Sequence, residues 1–203
     1  MKPLLICDCD EVLLHFVTPF SGYLNDIHDL TLHLDSFALT GNVRRPDGSA
    51  VEPWEFKPLL DGFFDSHMPT QTETPGAAQA LAEIAKVADI VILTNIAEHH
   101  ALVRTHELEK LGMPYRVLGN NGPKGVPVAA LIAQYGPTRT VFVDDLPPHH
   151  SSVRKAAPET HRLHMIAEPK LRGLIPAAPD ADIRLDDWSQ AGPHILRYME
   201  GQL

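Results

Sequence analysis

Cysteine is nearly absent from this 203-residue chain, which carries only Cys7 and Cys9. Two residues apart in the chain, they are poorly placed to bond each other. Reduced structural thiols are therefore expected, and a disulfide-stapled secreted scaffold is excluded. Positive charge is the minority sign, with 17 Lys and Arg against 26 Asp and Glu and a formal net charge of -9. That balance argues against a nucleic-acid backbone or an anionic membrane surface as partner. An anionic substrate would need local cations or a metal. No uncharged stretch reaches the roughly 18 residues of a membrane span. Only one Lys and a few apolar residues precede Asp8, too short a run for a secretory signal. A cytoplasmic protein with no membrane or nucleic-acid partner is expected. The twelve histidines scatter. The pairs His99-His100 and His149-His150 lack an i, i+4 ligand pattern with a third partner, and most histidines, His149 included, are expected at the surface.

What is present is apolar material enough, at 44% of the chain, for one core and an inserted subdomain. Short aliphatic runs at 4–7 (LLIC), 90–93 (IVIL), 115–118 (YRVL) and 140–143 (TVFV), with a fifth at 162–167 (RLHMIA), suit strands covered on both faces. Between them, residues 77–88, 97–111, 126–136 and 147–157 read as helices bounded by Gly and Pro. A last strand and a terminal helix are expected in 181–187 and 188–201. Strands alternating with helices predict right-handed crossovers and a three-layer α/β/α, Rossmann-like parallel sheet, an α/β fold. Residues 15–74 break the rhythm with a helix near 20–30, a Pro46-Asp47-Gly48 turn and a helical segment around Pro58. An insertion of this size is too long for a loop. It reads as a small cap subdomain, with 1–14 and 75–203 as the core.

In an open parallel sheet, ligands bind at the carboxyl ends of the strands. The polar residues expected there are Asp8 and Asp10 after the first strand, Thr94 and Asn95 after the second, Lys124 in the loop after the third, and Asp144 and Asp145 after the fourth. Taken singly, each has a plainer reading as a helix cap or a solvated charge. Together they occur in order at one edge of one sheet.

This set, as DCDEVL (8–13), ILTN (92–95), NGPKG (121–125) and VFVDD (141–145), resembles the haloacid dehalogenase-like hydrolase superfamily, of the phosphatase type with a cap inserted between the first and second motifs. The resemblance covers roughly residues 1–14 and 75–167. It implies a central first strand, magnesium (Mg2+) as cofactor, and Asp8 as the nucleophile that forms an aspartyl-phosphate. The implied metal ligands are Asp8, the carbonyl of Asp10 and Asp145, with Asp144 orienting Lys124 or a metal-bound water. Asp10 matches the general acid and base; members that cleave carbon–halogen bonds lack an Asp there, which points to phosphoryl transfer. Thr94, Asn95 and Lys124 would bind the transferring group. Glu11 stands where Gly is common, and the stretch after Asp145 has no acidic or Asn residue where many relatives place one.

The expected activity is hydrolysis of a small phosphorylated metabolite. Arg44 and Arg45 in the cap are candidates to contact an anionic substrate, and Trp54, Phe56, Phe63 or Phe64 to stack on a base or line an apolar pocket. The alternatives are a nucleotidase or phosphotransferase on the same core, and a catalytically silent binding or regulatory protein. The intact carboxylate set speaks against the last, because clustered charge has no stability rationale of its own.

Overall fold

The computed structural model describes residues 1–34 and 39–203. The elements run β1 (Leu4–Cys7), α1 (Val17–His28), β2 (Thr31–Leu32), β3 (Val43–Arg44), α2 (Pro53–Ser66), α3 (Ala77–Ile84), β4 (Asp89–Thr94), α4 (Ala101–Lys110), β5 (Arg116–Gly119), α5 (Gly125–Tyr135), β6 (Thr140–Asp144), α6 (Pro147–Ala156), β7 (His161–His164), α7 (Pro169–Arg172), β8 (Ile183–Arg184) and α8 (Trp188–Met199). The main sheet has the order β5-β4-β1-β6-β7-β8, and every pairing in it is parallel. β1 is central, and all four of its residues are buried. A strand covered on both faces has no reason to alternate polar and apolar residues, which is why LLIC reads as a continuous run.

Alternate residues of the central strands feed two cores. Leu5, Cys7, Ile90 and Ile92 pack with Leu81, Ile84, Trp188 and Ile195 of α3 and α8. Leu4, Ile6, Val91 and Leu93 face Val128, Leu131 and Val153 of α5 and α6. The result is the expected three-layer sandwich. The expected fifth strand ends early, at His164: Met165 makes the last rung with the Asp144 carbonyl, and Ala167 donates instead to the carbonyl of Glu11. The chain there leaves the ladder and bends over the end of β1. Cys7 and Cys9 are free and buried, and burial pushes both thiols up, so they are packing residues. No helix among the described residues is long and apolar enough to cross a membrane.

Between β1 and β4, α1 and α2 build a third core from Phe16, Phe20, Tyr23, Leu24, Phe63 and Phe64, whose rings meet at centroid distances of 5.1–6.3 Å. Ile96, Ile166, Leu171 and Ile175 join it from outside that segment. The expected turn is present, with Gly48 donating to the Arg45 carbonyl and taking φ 84°. Residues 35–38 of the expected cap lie outside the described residues.

One close approach sets the position of the loop after β5. A Cβ on Gly125 would lie 2.2 Å from the Ser152 carbonyl oxygen, so only glycine lets α5 start against α6. Gly125→Ala is expected to cost about 1–3 kcal/mol by overpacking. Urea denaturation measures that loss, and an unchanged midpoint would show that α5 and α6 part without cost.

Candidate active site

β1 ends between two neighbours that also carry polar residues at their carboxyl ends, so Asp8, Thr94 and Asp144 emerge side by side. Lys124, one residue before α5, inserts its ammonium among them, 2.7 Å from Asp8 Oδ1 and 2.7 Å from Asp144 Oδ2. Lys124 and Asp144 are both 0% exposed. Burial works against the charge on Lys124, but Asp144 and Asp8 outweigh it and hold the ammonium above its ordinary range. Burial also penalises ionised Asp144, yet Lys124 and His149 outweigh that and hold it below the usual carboxylate range. His149 Nδ1 lies 3.0 Å from Asp144 Oδ1, and the Leu146 amide donates to the same oxygen. His149 is only 7% exposed. This corrects the surface expectation for that residue: a polar side chain at the start of α6 is turned inward by a buried carboxylate partner. His100, His150 and His164 are buried as well. The ring of His150 meets the Asp144 carbonyl and that of His164 the Asp145 carbonyl, in each case through Nε2.

The other two carboxylates are not neutralised in this way. Burial pushes the Asp8 carboxyl up to about 6, Lys124 pulls it down, and Asp144 and Asp10 push it up again. Burial, then Asp144 and Asp8, push Asp145 well above the usual range. Oxygens of Asp8, Asp144 and Asp145 lie within 4.8 Å of one another. An all-carboxylate donor set with two members strained toward the protonated form fits a hard divalent cation such as Mg2+.

Asp10 is held separately. Arg104 Nη2 donates to Asp10 Oδ1 at 2.9 Å and Oδ2 at 3.2 Å, Gln71 Nε2 to Oδ1 at 2.7 Å, and Thr94 Oγ1 to Oδ2 at 3.3 Å. Sequence reasoning missed Arg104 and Gln71. The available signal for Arg104 was its i, i+4 spacing to Leu108 on the buried face of α4. Gln71 offered none, because its contact joins residues 61 apart in the chain.

Glu11 takes φ 60°, a conformation that favours glycine and accounts for the expectation of Gly there. Its buried carboxylate accepts from the amides of Phe16, Val17 and Glu168. α1 has no side-chain cap of its own, so Glu11 serves as its anionic N-terminal partner.

These groups face a cavity of about 310 Å³ whose wall includes Asp8, Asp10, Glu11, Thr94, Asn95, Asp145 and His149. Lys124 stands behind Asp8 and is not part of that wall. Asn95 Nδ2 lies 3.1 Å from the Gly122 carbonyl and 3.3 Å from His149 Nε2. Arg44 and Arg45 require correction as substrate contacts. Arg45 pairs with Glu55 at 2.6 Å and donates to the Ala50 carbonyl, and Arg44 sits in the β2–β3 hairpin; neither reaches the cavity. Of the four aromatics, only Phe64 does. Phe56 and Phe63 contact Phe20 inside the inserted segment, and Trp54 is 74% exposed elsewhere.

With β1 central and the acidic residues at the carboxyl ends of β1 and β6, the architecture can be compared with solved structures. A protein assigned as a HAD-hydrolase, YfnB from Bacillus subtilis, solved bound to magnesium, matches with TM-score 0.66 at 14% identity over 96% of this chain and 98% of that one. The fold is that of the haloacid dehalogenase-like hydrolases. A protein assigned as a phosphoglycolate phosphatase from Lactobacillus delbrueckii matches with TM-score 0.64 at 13% identity over 96% and 99%. The defluorinating L-2-haloacid dehalogenase Rha0230 matches with TM-score 0.61 at 12% identity over 96% and 95%. No protein-family model and no curated protein matches the sequence. Since the haloacid dehalogenase-like fold houses both phosphatases and dehalogenases, the reaction must be argued from the site residues.

Millimolar Mg2+ is expected to raise Tm at pH 7.5, and Asp145→Asn to remove that rise while Arg45→Ala retains it. Without metal, folded Asp8 holds a proton up to about pH 6 that the unfolded chain releases near 3.8. Its stabilising contribution is therefore complete below 3.8 and lost as pH rises through about 6. Metal competes with that same proton, so the Mg2+-induced rise should shrink as pH falls below about 6. Differential scanning calorimetry across pH 5–8 checks both trends.

Proposed function

We propose that the protein is a magnesium-dependent phosphohydrolase acting on a small phosphomonoester through an aspartyl-phosphate, with residues 15–74 serving as a cap over the site. The observation that carries this reading is Asp10. It is a second carboxylate on the cavity wall beside Asp8, oriented by Arg104, Gln71 and Thr94. Attack on a carbon–halogen centre releases halide and needs no acid at that place, whereas an alkoxide leaving group does.

An oxygen of Asp8 attacks phosphorus, the bond from phosphorus to the ester oxygen breaks, and Asp10 gives its proton to that oxygen so that an alcohol leaves. Asp10 then takes a proton from water as the water oxygen attacks phosphorus. The bond to Asp8 breaks, and inorganic phosphate is released. Lys124 holds Asp8 at a fixed orientation, and its charge offsets part of the negative charge that gathers at phosphorus. Thr94 and Asn95 lie on the same wall, which supports a role for them beside the phosphoryl group. A bound Mg2+, held by Asp8, Asp145 and Asp144 or the Asp10 carbonyl, would supply positive charge to the transferring group. Buried free thiols accord with a reducing, cytoplasmic setting.

Asp8→Asn should abolish Mg2+-dependent hydrolysis of an aryl phosphate with folding intact by circular dichroism; undiminished turnover would remove Asp8 as nucleophile. Asp10→Asn should lower kcat by about 10²–10⁴ for alkyl phosphates and much less for nitrophenyl phosphate. An equal loss on both would argue against proton transfer by Asp10. Halide release from 2-haloacids, with no phosphate release from any ester, would favour the dehalogenase reading instead.

A further inference from the structure

We propose that the substrate's leaving group is a compact, uncharged and apolar alcohol, an inference that rests on the phosphohydrolase reading above. Beyond the polar floor, the cavity is walled by Phe16, Val17, Leu60, Phe64, Leu146 and Leu171. These side chains come from three parts of the fold, α1 and its entry, α2 of the inserted segment, and the loop after β6 with α7, so the apolar wall is built from separate elements and is not one patch of a single helix. Among the described residues, no lysine or arginine lines the wall.

Neither of the cations that hold Asp8 and Asp10 opens onto this wall. Lys124 is fully buried between Asp8 and Asp144, and Arg104 is fully buried against Asp10 with its guanidinium 5.8 Å from the Phe64 ring centroid. A second anionic group on the substrate, a carboxylate or another phosphate, would therefore meet hydrocarbon or the carboxylates of Asp10 and Glu11. Removing such a charge from water without a partner is costly. A sugar or a nucleobase needs several hydrogen-bonding partners in its pocket, and the polar wall residues are those at the phosphoryl end. At about 310 Å³ the cavity stands at the small end of ligand pockets. The phosphoryl group takes the polar floor, and what remains fits a short alkyl or single-ring group.

The test measures kcat/KM for methyl, ethyl, propyl and butyl phosphate in Mg2+, together with 3-carboxypropyl phosphate, glycerol phosphate and a nucleoside monophosphate. Each added methylene should raise kcat/KM about fourfold, as transfer of a CH2 from water predicts. Replacing the terminal methyl of butyl phosphate by a carboxylate should lower kcat/KM at least about tenfold. Leu60→Lys, on the partly exposed face of α2, should reverse that preference in a protein with unchanged Tm. A flat alkyl series, or a preference for the carboxylated, polyol or nucleoside ester, overturns the inference while leaving the phosphatase reading intact. Calorimetric titration with butylphosphonate and 4-phosphonobutanoate, which cannot be hydrolysed, reads the wall without turnover. Tighter binding of butylphosphonate supports the apolar wall even if no ester is cleaved, an outcome that would sink the hydrolysis reading alone. The opposite order overturns it.

Discussion

The buried ammonium of Lys124 is the constraint around which the site is organised. Three acidic side chains meet at the carboxyl ends of β1 and β6, where burial makes each ionised carboxylate costly. One cation touches two of them, and His149 supports the second. The charge that remains uncompensated is concentrated on Asp145 and shared by Asp8. An apolar residue in place of Lys124 would leave Asp144 buried with only a histidine and one amide beside it. A buried ion pair of this kind adds little stability by itself, but losing one partner is expensive, so the arrangement is a stability cost that the proposed function would explain.

The same constraint explains why packing elsewhere is so tight. Lys124 reaches Asp8 because α5 starts against α6 at Gly125, where no side chain would fit. The start of α6 in turn delivers His149 to Asp144 and Leu146 to the cavity wall. On the other side of β1, Glu11 accepts a left-handed backbone conformation and binds three amides, one from residue 168. That carboxylate ties the loop after β1 to the start of α1 and to the loop after β7. The inserted segment therefore does not hang from a flexible strand. His100 reinforces the contact with a 2.7 Å bond to Asp65 near the end of α2.

Much of the architecture was legible because its signals are local. Continuous aliphatic runs of four residues mark strands covered on both faces, and Gly and Pro mark where helices begin and end. The polar residues at strand ends follow from the strand positions alone, so Asp8, Asp10, Thr94, Asn95, Asp144 and Asp145 are legible at one sheet edge from the sequence. His149 was misjudged because its side chain obeys a carboxylate five residues away and a lysine twenty residues before that, not its own neighbours in sequence. Arg44 and Arg45 looked available because a hairpin usually exposes its charges, and sequence carries no sign that Arg45 is engaged by Glu55 on α2.

The sequence by itself determined the order of strands and helices, the edge at which the acidic groups collect, and the excess of carboxylate over cation that calls for a metal. Those features depend on residue type and short-range periodicity, which one chain displays openly. Only the tertiary structure decided which carboxylates Lys124 touches, that Arg104 and Gln71 hold Asp10, and that the space above Asp8 is lined by hydrocarbon. Each of these depends on side chains tens of residues apart arriving at one place, and the distances that make them partners exist only once the chain has folded.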